Sequence, residues 1–338
     1  MKQCVWLHRV IRFGVKNLKS LKEERLWLTK PNKDGDLMKI IEYNNNNNIV
    51  IEFQDEWKET IKTKWTHFNN GNLVNPHKIK TRLGAIKTNA QNCLMKCVEY
   101  TNSHNIIIEF QDEYKYKVKT TWDNFEKEKI KNLYHPNVCG VGIIGSKYPR
   151  SIDGKTTKEY QTWSNMIHRC FNKKGKRNYP TYAGVTCCEE WLLYENFYEW
   201  LHNQENFDKW SQQERSALDK DILIKGNKIY APNTCCLVSD NINGLFEKAD
   251  KSRGNLPIGV KYEKRNNSYY ACCRNGDAKT NPHATFLGYA SNEIESFNMY
   301  KQYKENVIKS IAQEEYNKGN ITKKCYDAMM KYEVEITD

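Results

Sequence analysis

Residues 218–243 read LDKDILIKGNKIYAPNTCCLVSDNIN, and this stretch decides how the middle of the chain folds. It places Asp219, Lys220 and Asp221 before a turn and a short apolar run, and Asn243 follows at the start of a helical pattern. Carboxylate and amide oxygens in such an arrangement suit one hard divalent cation. The same residue types also make ordinary turns and helix caps, so residue type alone leaves both interpretations open.

Upstream, the sequence YQTWSNMIHRCF at 160–171 predicts a helix. Tyr160, Trp163, Met166 and Arg169 recur every three residues and therefore lie close to one face, which favours packing on a core. Arg169 ends this stripe and is a candidate DNA contact. The basic loop that follows adds four further candidates, Lys173, Lys174, Lys176 and Arg177.

The chain resembles the HNH-type endonuclease-like proteins of bacteriophages, a branch of the ββα-metal nucleases. The resemblance rests on these two segments, on YAGVTCCEEW at 182–191 and on FYEW at 197–200. The resemblance implies a nuclease-like domain over 151–249 with DNA as its substrate and Mg²⁺ or Mn²⁺ as its cofactor. In that family an Asp binds the metal, the adjacent His activates water, an Asn orients this His, and a residue on the next helix completes the metal site.

Carried over to this chain, the resemblance places Asp219 and Asn243 at the metal positions. Lys220 stands where the general-base His is expected, and Thr234 stands where the orienting Asn is expected. A lysine is protonated at neutral pH unless burial lowers its pKa by several units, so Lys220 is better suited to stabilise or clamp a phosphate.

Two functions therefore stay open for the central domain. The first is a homing or nicking endonuclease that hydrolyses phosphodiesters with Asp219, Lys220 and Thr234 as its catalytic residues. The second is a catalytically decayed DNA-binding regulator, or an inhibitor of a host function, on the same architecture.

The N-terminal half contains a tandem repeat. Residues 38–68 and 95–125 align without a gap, and 18 of their 31 positions are identical. Alternating apolar residues on both sides of an Asn-rich turn predict a β-hairpin, with a third strand and a closing turn of helix after it. We expect β-rich modules over 35–78 and 92–135, which could add avidity for DNA, bind a protein partner or act as a spacer.

The C-terminal part, 257–334, predicts three strands followed by a helix capped by Asn292. It resembles the ethylene-response type of plant DNA-binding domain, in which a three-stranded sheet enters the major groove. That resemblance makes Lys261, Arg265, Tyr269 and Arg274 candidate DNA contacts, subject to the strand register.

Composition agrees with a folded chain that binds a polyanion. The net charge is +12, and aromatic residues make up 12% of the chain. A basic segment at 1–34 opens the chain, and eighteen uninterrupted apolar residues, about the minimum for a membrane span, occur nowhere. We therefore expect an α+β, multidomain protein that binds double-stranded DNA and no membrane. The resemblance implies a phage- or prophage-encoded protein in the bacterial cytoplasm.

The twelve cysteines do not suggest a zinc centre. Cys-x-x-Cys spacing is absent, and the pairs are adjacent or four residues apart. Neighbouring residues of a strand face opposite ways, so adjacent cysteines do not converge on one ion. We expect reduced, mostly buried thiols and no structural zinc.

Overall fold

A computed structural model of the chain describes residues 20–172, 182–246, 254–275, 283–336 and 338. Helices and several small sheets alternate along the chain, so the predicted α+β class is confirmed at that level. The chain divides into two compact units, Met1–Asn132 and Leu133–Asp338. Most of the basic segment predicted at 1–34 lies outside the described residues.

The first unit holds two copies of one module. The first copy contains α1 (Leu21–Arg25), β1 (Thr29–Pro31), β2 (Leu37–Asn45), β3 (Asn48–Phe53), β4 (Thr60–Thr63) and α2 (Trp65–Asn69). The second contains α3 (Pro76–Arg82), β5 (Ile86–Thr88), β6 (Leu94–Asn102), β7 (Asn105–Phe110), β8 (Lys117–Thr120) and α4 (Trp122–Glu126). In each copy the four strands form an antiparallel sheet in sequence order.

The predicted hairpin and closing helix are present in both copies. Ile49, Ile51 and Phe53 alternate onto the buried face of β3, and β7 shows the same burial pattern. The module is longer than the predicted ranges 35–78 and 92–135, because each copy also has an opening helix and a first strand. Those two elements lie in the part of the repeat where the two sequences have diverged.

An arginine at the end of the opening helix joins that helix to the sheet. Arg82 Nη1 donates hydrogen bonds to Tyr100 Oη at 2.7 Å and to Ser103 Oγ at 2.8 Å. Its guanidinium lies 4.6 Å from the ring centroid of Trp122. Arg25 stacks in the same way in the first copy and also donates two hydrogen bonds there. Trp122 therefore serves as packing surface for a cation.

Helix α3 connects the two copies. Asn75 caps its N-terminus by accepting the His77 N–H at 2.9 Å, and the Asn75 amide donates to Asp55 of the first copy. The other end of the helix carries Arg82, which contacts the second copy. One short helix thus closes the first module and opens the second.

The second unit contains more irregular elements. They are β9 (Ser151–Ile152), β10 (Lys155–Thr156), α5 (Lys158–Phe171), β11 (Thr186–Cys187), a 3₁₀ turn (Glu189–Leu192), α6 (Tyr194–His202), α7 (Phe207–Gln212), β12 (Ser216–Asp219), β13 (Ile229–Tyr230), β14 (Cys236–Ser239), α8 (Asp240–Leu245), β15 (Val260–Glu263), β16 (Ser268–Cys273), β17 (Thr285–Ala290), α9 (Glu293–Asn317) and α10 (Lys323–Met330). Strands β12 and β14 pair antiparallel, β11 and β13 pair parallel, and β15–β16–β17 form an antiparallel sheet.

The two middle residues of the predicted stripe are buried, as expected for packing on a core, while Tyr160 and Arg169 at its ends are half-buried. Trp163 and Met166 of α5 lie in one hydrophobic cluster with Trp191, Tyr194 and Phe197. The Trp163 indole N–H donates to the carbonyl of Trp191 at 2.7 Å, which satisfies its only polar atom. This cluster supports one face of the β12–β14 pair.

The other face of the β12–β14 pair packs against a second cluster. There, Val238 and Ile242 meet Ile308 of α9 and Cys325 of α10. The segments predicted as separate domains at 151–249 and 257–334 therefore share this core. A third cluster, which includes Ala271, joins α9 to the β15–β17 sheet.

Two tight contacts fix loops of the second unit. Gly259 has φ +77°, and a Cβ placed on it would lie 2.0 Å from the Tyr300 ring. Glu195 Oε1 accepts hydrogen bonds from the Ser146 N–H at 2.7 Å and the Lys147 N–H at 2.8 Å. It also accepts one from the Tyr134 hydroxyl at 3.0 Å.

Within the described residues, no helix is both long and apolar enough to cross a membrane.

Candidate functional site

The first candidate site lies where β12 ends. Leu218 and Leu237 face the aromatic cluster, while Asp219 points the opposite way, because side chains alternate along a strand. Asp219 pairs with Cys236 across the two strands and is 9% exposed. A carboxylate is thus held almost out of water at the junction of a strand and a turn.

Two backbone donors hold Asp219 in place. Its Oδ1 accepts hydrogen bonds from the N–H groups of Asp221 and Ile222, both at 2.7 Å. Burial raises the pKa of Asp219, and these two donors only partly offset that effect. Oδ2 makes no hydrogen bond within the described part of the chain. One oxygen therefore shapes the turn and the other is available to a ligand.

Lys220 points to other partners. Its Nζ forms an ion pair with Asp221 Oδ2 at 2.6 Å and donates to the Asn227 carbonyl at 3.1 Å. The ammonium group also lies 5.9 Å from the Tyr230 ring centroid. Nζ is the donor in both polar contacts, so Lys220 is held as a hydrogen-bond donor and as the ion-pair partner of Asp221.

Thr234 lies in the segment between β13 and β14. Its Oγ1 donates to the Ile229 carbonyl at 2.7 Å and accepts the Ala231 N–H at 3.1 Å. These contacts close the turn between β13 and β14. They do not orient Lys220, whose own carbonyl accepts a hydrogen bond from the Asn227 amide at 2.8 Å. The structure thus brings Lys220 to Asn227, a partner that the sequence reasoning left out of the site.

Asn243 lies in α8, which packs across both β12 and β14. Ser239 caps this helix by accepting the Ile242 N–H at 3.2 Å, and Ile242 anchors it in the second core. The side chain of Asn243 is half-buried and makes no hydrogen bond with Asp219 in the described residues. Strand, strand and helix follow in the expected order, with Asn243 on the helix.

Arg169, a predicted DNA contact, is engaged inside the domain. Its Nη1 donates to Tyr230 Oη at 3.2 Å, and its guanidinium lies 5.7 Å from the Tyr182 ring centroid. Burial would lower the pKa of Arg169, but Tyr230, Tyr182 and Asp219 outweigh that effect and leave the pKa above its usual value. Burial also raises the pKa of Tyr230 to about 12. Tyr230 was not predicted as a site residue.

The four basic candidates Lys173, Lys174, Lys176 and Arg177 lie outside the described residues.

The second candidate site is the β15–β17 sheet, whose two faces differ. Helix α9 covers one face, on which Ala271 is fully buried. Lys261 lies directly opposite Tyr270 on the other, open face. Tyr269 belongs to the covered face, where its ring centroid lies 5.1 Å from that of Tyr262. Tyr270 therefore stands on the open face where Tyr269 was predicted.

The open face carries an aromatic group that the sequence reasoning missed. Tyr270, Phe286 and Tyr289 have ring centroids 5.2 to 5.9 Å apart. Phe286 and Tyr289 are 56% and 55% exposed. We call these three residues the aromatic triad. Sequence alone could not identify Tyr270, because the burial of Ala271, which places Tyr270 on the opposite face, is seen only in the structure.

Charged groups border the aromatic triad. Lys261 and Arg265 are exposed, Lys261 on the open face and Arg265 in the turn between β15 and β16. Arg274 is also exposed and directly follows β16. The Tyr289 hydroxyl donates to Glu263 at 2.8 Å, and this hydrogen bond raises the pKa of Tyr289. The open face thus combines flat apolar rings with cations at its border.

Comparisons with known proteins add no relative. No protein-family model, curated protein or solved structure matches the chain. In the described residues, no group of three or more His, Cys, Asp or Glu side chains is placed to hold a metal ion.

Proposed function

We propose that the chain binds double-stranded DNA through the open face of the β15–β17 sheet. The aromatic triad carries this proposal. Large apolar side chains grouped on an exposed face are typical of a binding surface, because water solvates them poorly. Lys261, opposite Tyr270, and Arg265, in the turn between β15 and β16, supply the positive charge that phosphates require. The net charge of +12 favours the same kind of partner.

The shape of the sheet supports a groove-bound arrangement. A short antiparallel sheet can enter the major groove, where rings contact thymine methyl groups and cations reach phosphates or guanine. Helix α9 holds the sheet from behind, so the open face presents its side chains without rearrangement. The resemblance to ethylene-response-type domains agrees with this use of the sheet.

Binding of duplex oligonucleotides, followed by fluorescence anisotropy at several salt concentrations, tests the proposal. Phe286→Ala and Tyr289→Ala should each weaken binding about tenfold, as expected for loss of roughly 1.4 kcal/mol of contact energy. Lys261→Ala should lower the salt dependence by about one ion equivalent. Ile152→Ala, which removes an equally exposed side chain (59%) from β9, is the matched control. Unchanged affinity in folded Phe286 and Tyr289 variants would reject the sheet as the contact surface.

A second candidate function is metal-dependent cleavage of the bound DNA near Asp219. The order of β12, β14 and α8 and the unengaged Oδ2 of Asp219 favour it. Asp219 and Asn243 would hold Mg²⁺ or Mn²⁺, which accepts few protein ligands because it retains several waters. The ion would polarise the phosphate, and Lys220 would exchange its ion pair with Asp221 for one with the phosphate.

Nicking of supercoiled plasmid with Mg²⁺ or Mn²⁺ separates the two candidates. Metal-dependent nicking that disappears in Asp219→Ala, with DNA binding intact, would support hydrolysis. If the wild-type protein binds DNA but does not nick it, only the binding function is supported. Activity gained in Lys220→His would then attribute the loss of catalysis to this residue.

A further inference from the structure

We propose that the cleft between the two N-terminal modules binds a small cationic N–H group, either an alkylammonium or a guanidinium. The cleft has a volume of about 240 Å³ and is lined by loops of both copies. We call it the inter-module cleft. Its lining includes Lys33, Asp34, Gly71 and Asn72 of the first module and Thr101 and Asn102 of the second.

A buried carboxylate without a full set of partners carries the inference. The Asp34 side chain is 1% exposed. Its Oδ1 accepts the Ser103 N–H of the second module at 2.9 Å. Its Oδ2 is buried and has no hydrogen-bond partner within the described residues. A buried ionised oxygen normally has a donor, because leaving one unpaired is costly.

The basic neighbours of Asp34 do not supply that donor. His104 Nδ1 lies 3.8 Å from Oδ1, beyond hydrogen-bond distance, and the His104 side chain is 75% exposed. Lys33 is exposed and forms no ion pair with any residue that the structure describes. Because Oδ2 is itself buried, a cationic donor in the cleft would pair with it once the Asp34 side chain turns toward the cleft, and this would complete the set.

The second module shows the contrast expected of a ligand site. Gln91 stands 57 residues after Asp34, at the same place in the repeat. The Gln91 Oε1 accepts the Asn132 N–H at 2.8 Å and the Asn89 amide at 3.3 Å. Where the fold needs only an acceptor at this position, a neutral amide serves. Gln91 and Asp34 accept the backbone N–H groups of different residues, Asn132 and Ser103, so the comparison shows that the repeat tolerates a neutral acceptor at this position.

The cleft is large enough for a small organic cation. Its volume of about 240 Å³ would hold roughly eight waters, more than a short alkylammonium or guanidinium group displaces. The class of ligand follows from Asp34, because a cation with an N–H donor would satisfy Oδ2, whether it is free in solution or on the side chain of a partner.

Amide chemical shifts of the full chain, measured during titration, test the proposal. Methylguanidinium and methylammonium should each give saturable shifts at Gly71 and Ser103. Asp34→Asn keeps the acceptor for Ser103 but removes the charge, so it should weaken binding at least about tenfold. Glu42→Gln removes a charge from an exposed position of β2 and should leave binding unchanged. An Arg-containing capped tripeptide distinguishes a partner's side chain from a free ligand.

Several results would overturn the inference. One is equal binding by Asp34→Asn. Another is an equal response to tetramethylammonium, which has no N–H donor and would report only charge screening. A third is a saturable response to Mg²⁺ with none to the organic cations. The melting temperature gives an independent check, since Asp34→Asn should melt at or above the wild-type temperature. A clear decrease would show that the carboxylate serves the fold.

Discussion

Replacing Arg82 should expose how much each module depends on its arginine. The side chain makes two hydrogen bonds and lies over the rings of Trp122 and Tyr100, all in the second module. Two charge-assisted hydrogen bonds contribute roughly 3 to 6 kcal/mol, and the ring contact adds about 1. Ordering a long side chain costs about 2 kcal/mol. We therefore expect Arg82→Ala to destabilise the second module by about 3 kcal/mol.

Arg82→Lys separates charge from geometry. A lysine retains the positive charge but loses the planar fork and the stacking on the ring. We expect a loss of about 1.5 kcal/mol, close to half that of Arg82→Ala. Lys80→Ala is the control on the same helix, because among the residues that the structure describes Lys80 pairs only with Glu59, at the surface, and its loss should cost under about 1 kcal/mol.

Native-state hydrogen exchange on the full chain measures these effects where they occur. Protection should fall in β6 and β7 for Arg82→Ala and stay unchanged in β2 and β3. An Arg82→Lys variant as stable as wild type, within about 0.5 kcal/mol, would refute the role given to the guanidinium fork. Equal losses of protection in both modules would refute the assignment of these contacts to one module.

Three further predictions concern the second unit. Gly259→Ala should destabilise it by roughly 3 kcal/mol or more, because the added Cβ clashes with the Tyr300 ring. Gly226→Ala, which is also at positive φ but in open space, should cost about 1 kcal/mol, and thermal unfolding measures both variants. Glu195→Ala should cost roughly 2 to 4 kcal/mol through three lost hydrogen bonds, and Glu195→Gln, which keeps an acceptor, should cost less in the same assay. The raised pKa of Asp219 means that its contribution to stability is present below the ordinary pKa, near 4, and is lost as pH rises through the folded-state value. In urea unfolding at several pH values, the free energy of unfolding of Asp219→Asn should therefore rise relative to that of the wild type as pH rises. The change should be about 1.4 kcal/mol for every tenfold difference in the proton affinity of this carboxylate between the folded and unfolded chains. A difference that stays constant with pH would contradict the burial effect.

The elements with strong periodicity were predictable from the sequence. The three-residue spacing of Trp163 and Met166 identified a core helix, and the alternation of Ile49 and Ile51 identified a buried strand face. The Asn292 cap marked the start of α9, where its side chain accepts the Glu295 N–H at 2.9 Å. Local pattern determines these features, so they need no tertiary information.

The candidate sites depended on contacts that sequence does not show. Nothing in the pattern separates Tyr269 from Tyr270 until the buried partner of their strand is known, because a shift of one residue reverses both faces. The pairing of Lys220 with Asp221 likewise depends on side-chain rotamers in a turn. The opening helix of each module was missed because repeat identity is low there, although Arg25 and Arg82 occupy equivalent places.

Helix α3 contacts both modules, so the contacts at the junction run in the same order along the chain as the modules do. In each copy the arginine lies in the opening helix, ahead of the sheet that it contacts. An aspartate of each copy accepts the side-chain amide of an asparagine that follows the closing helix: Asp55 accepts that of Asn75, and Asp112 accepts that of Asn132. A cut between the copies would leave one of them incomplete wherever it fell. Insertion of a whole 57-residue period beginning with α3 would instead give every module both its arginine and its aspartate contact. Such a chain could lengthen by duplication while keeping the same helix at each junction, and the present pair already shows one round of that growth.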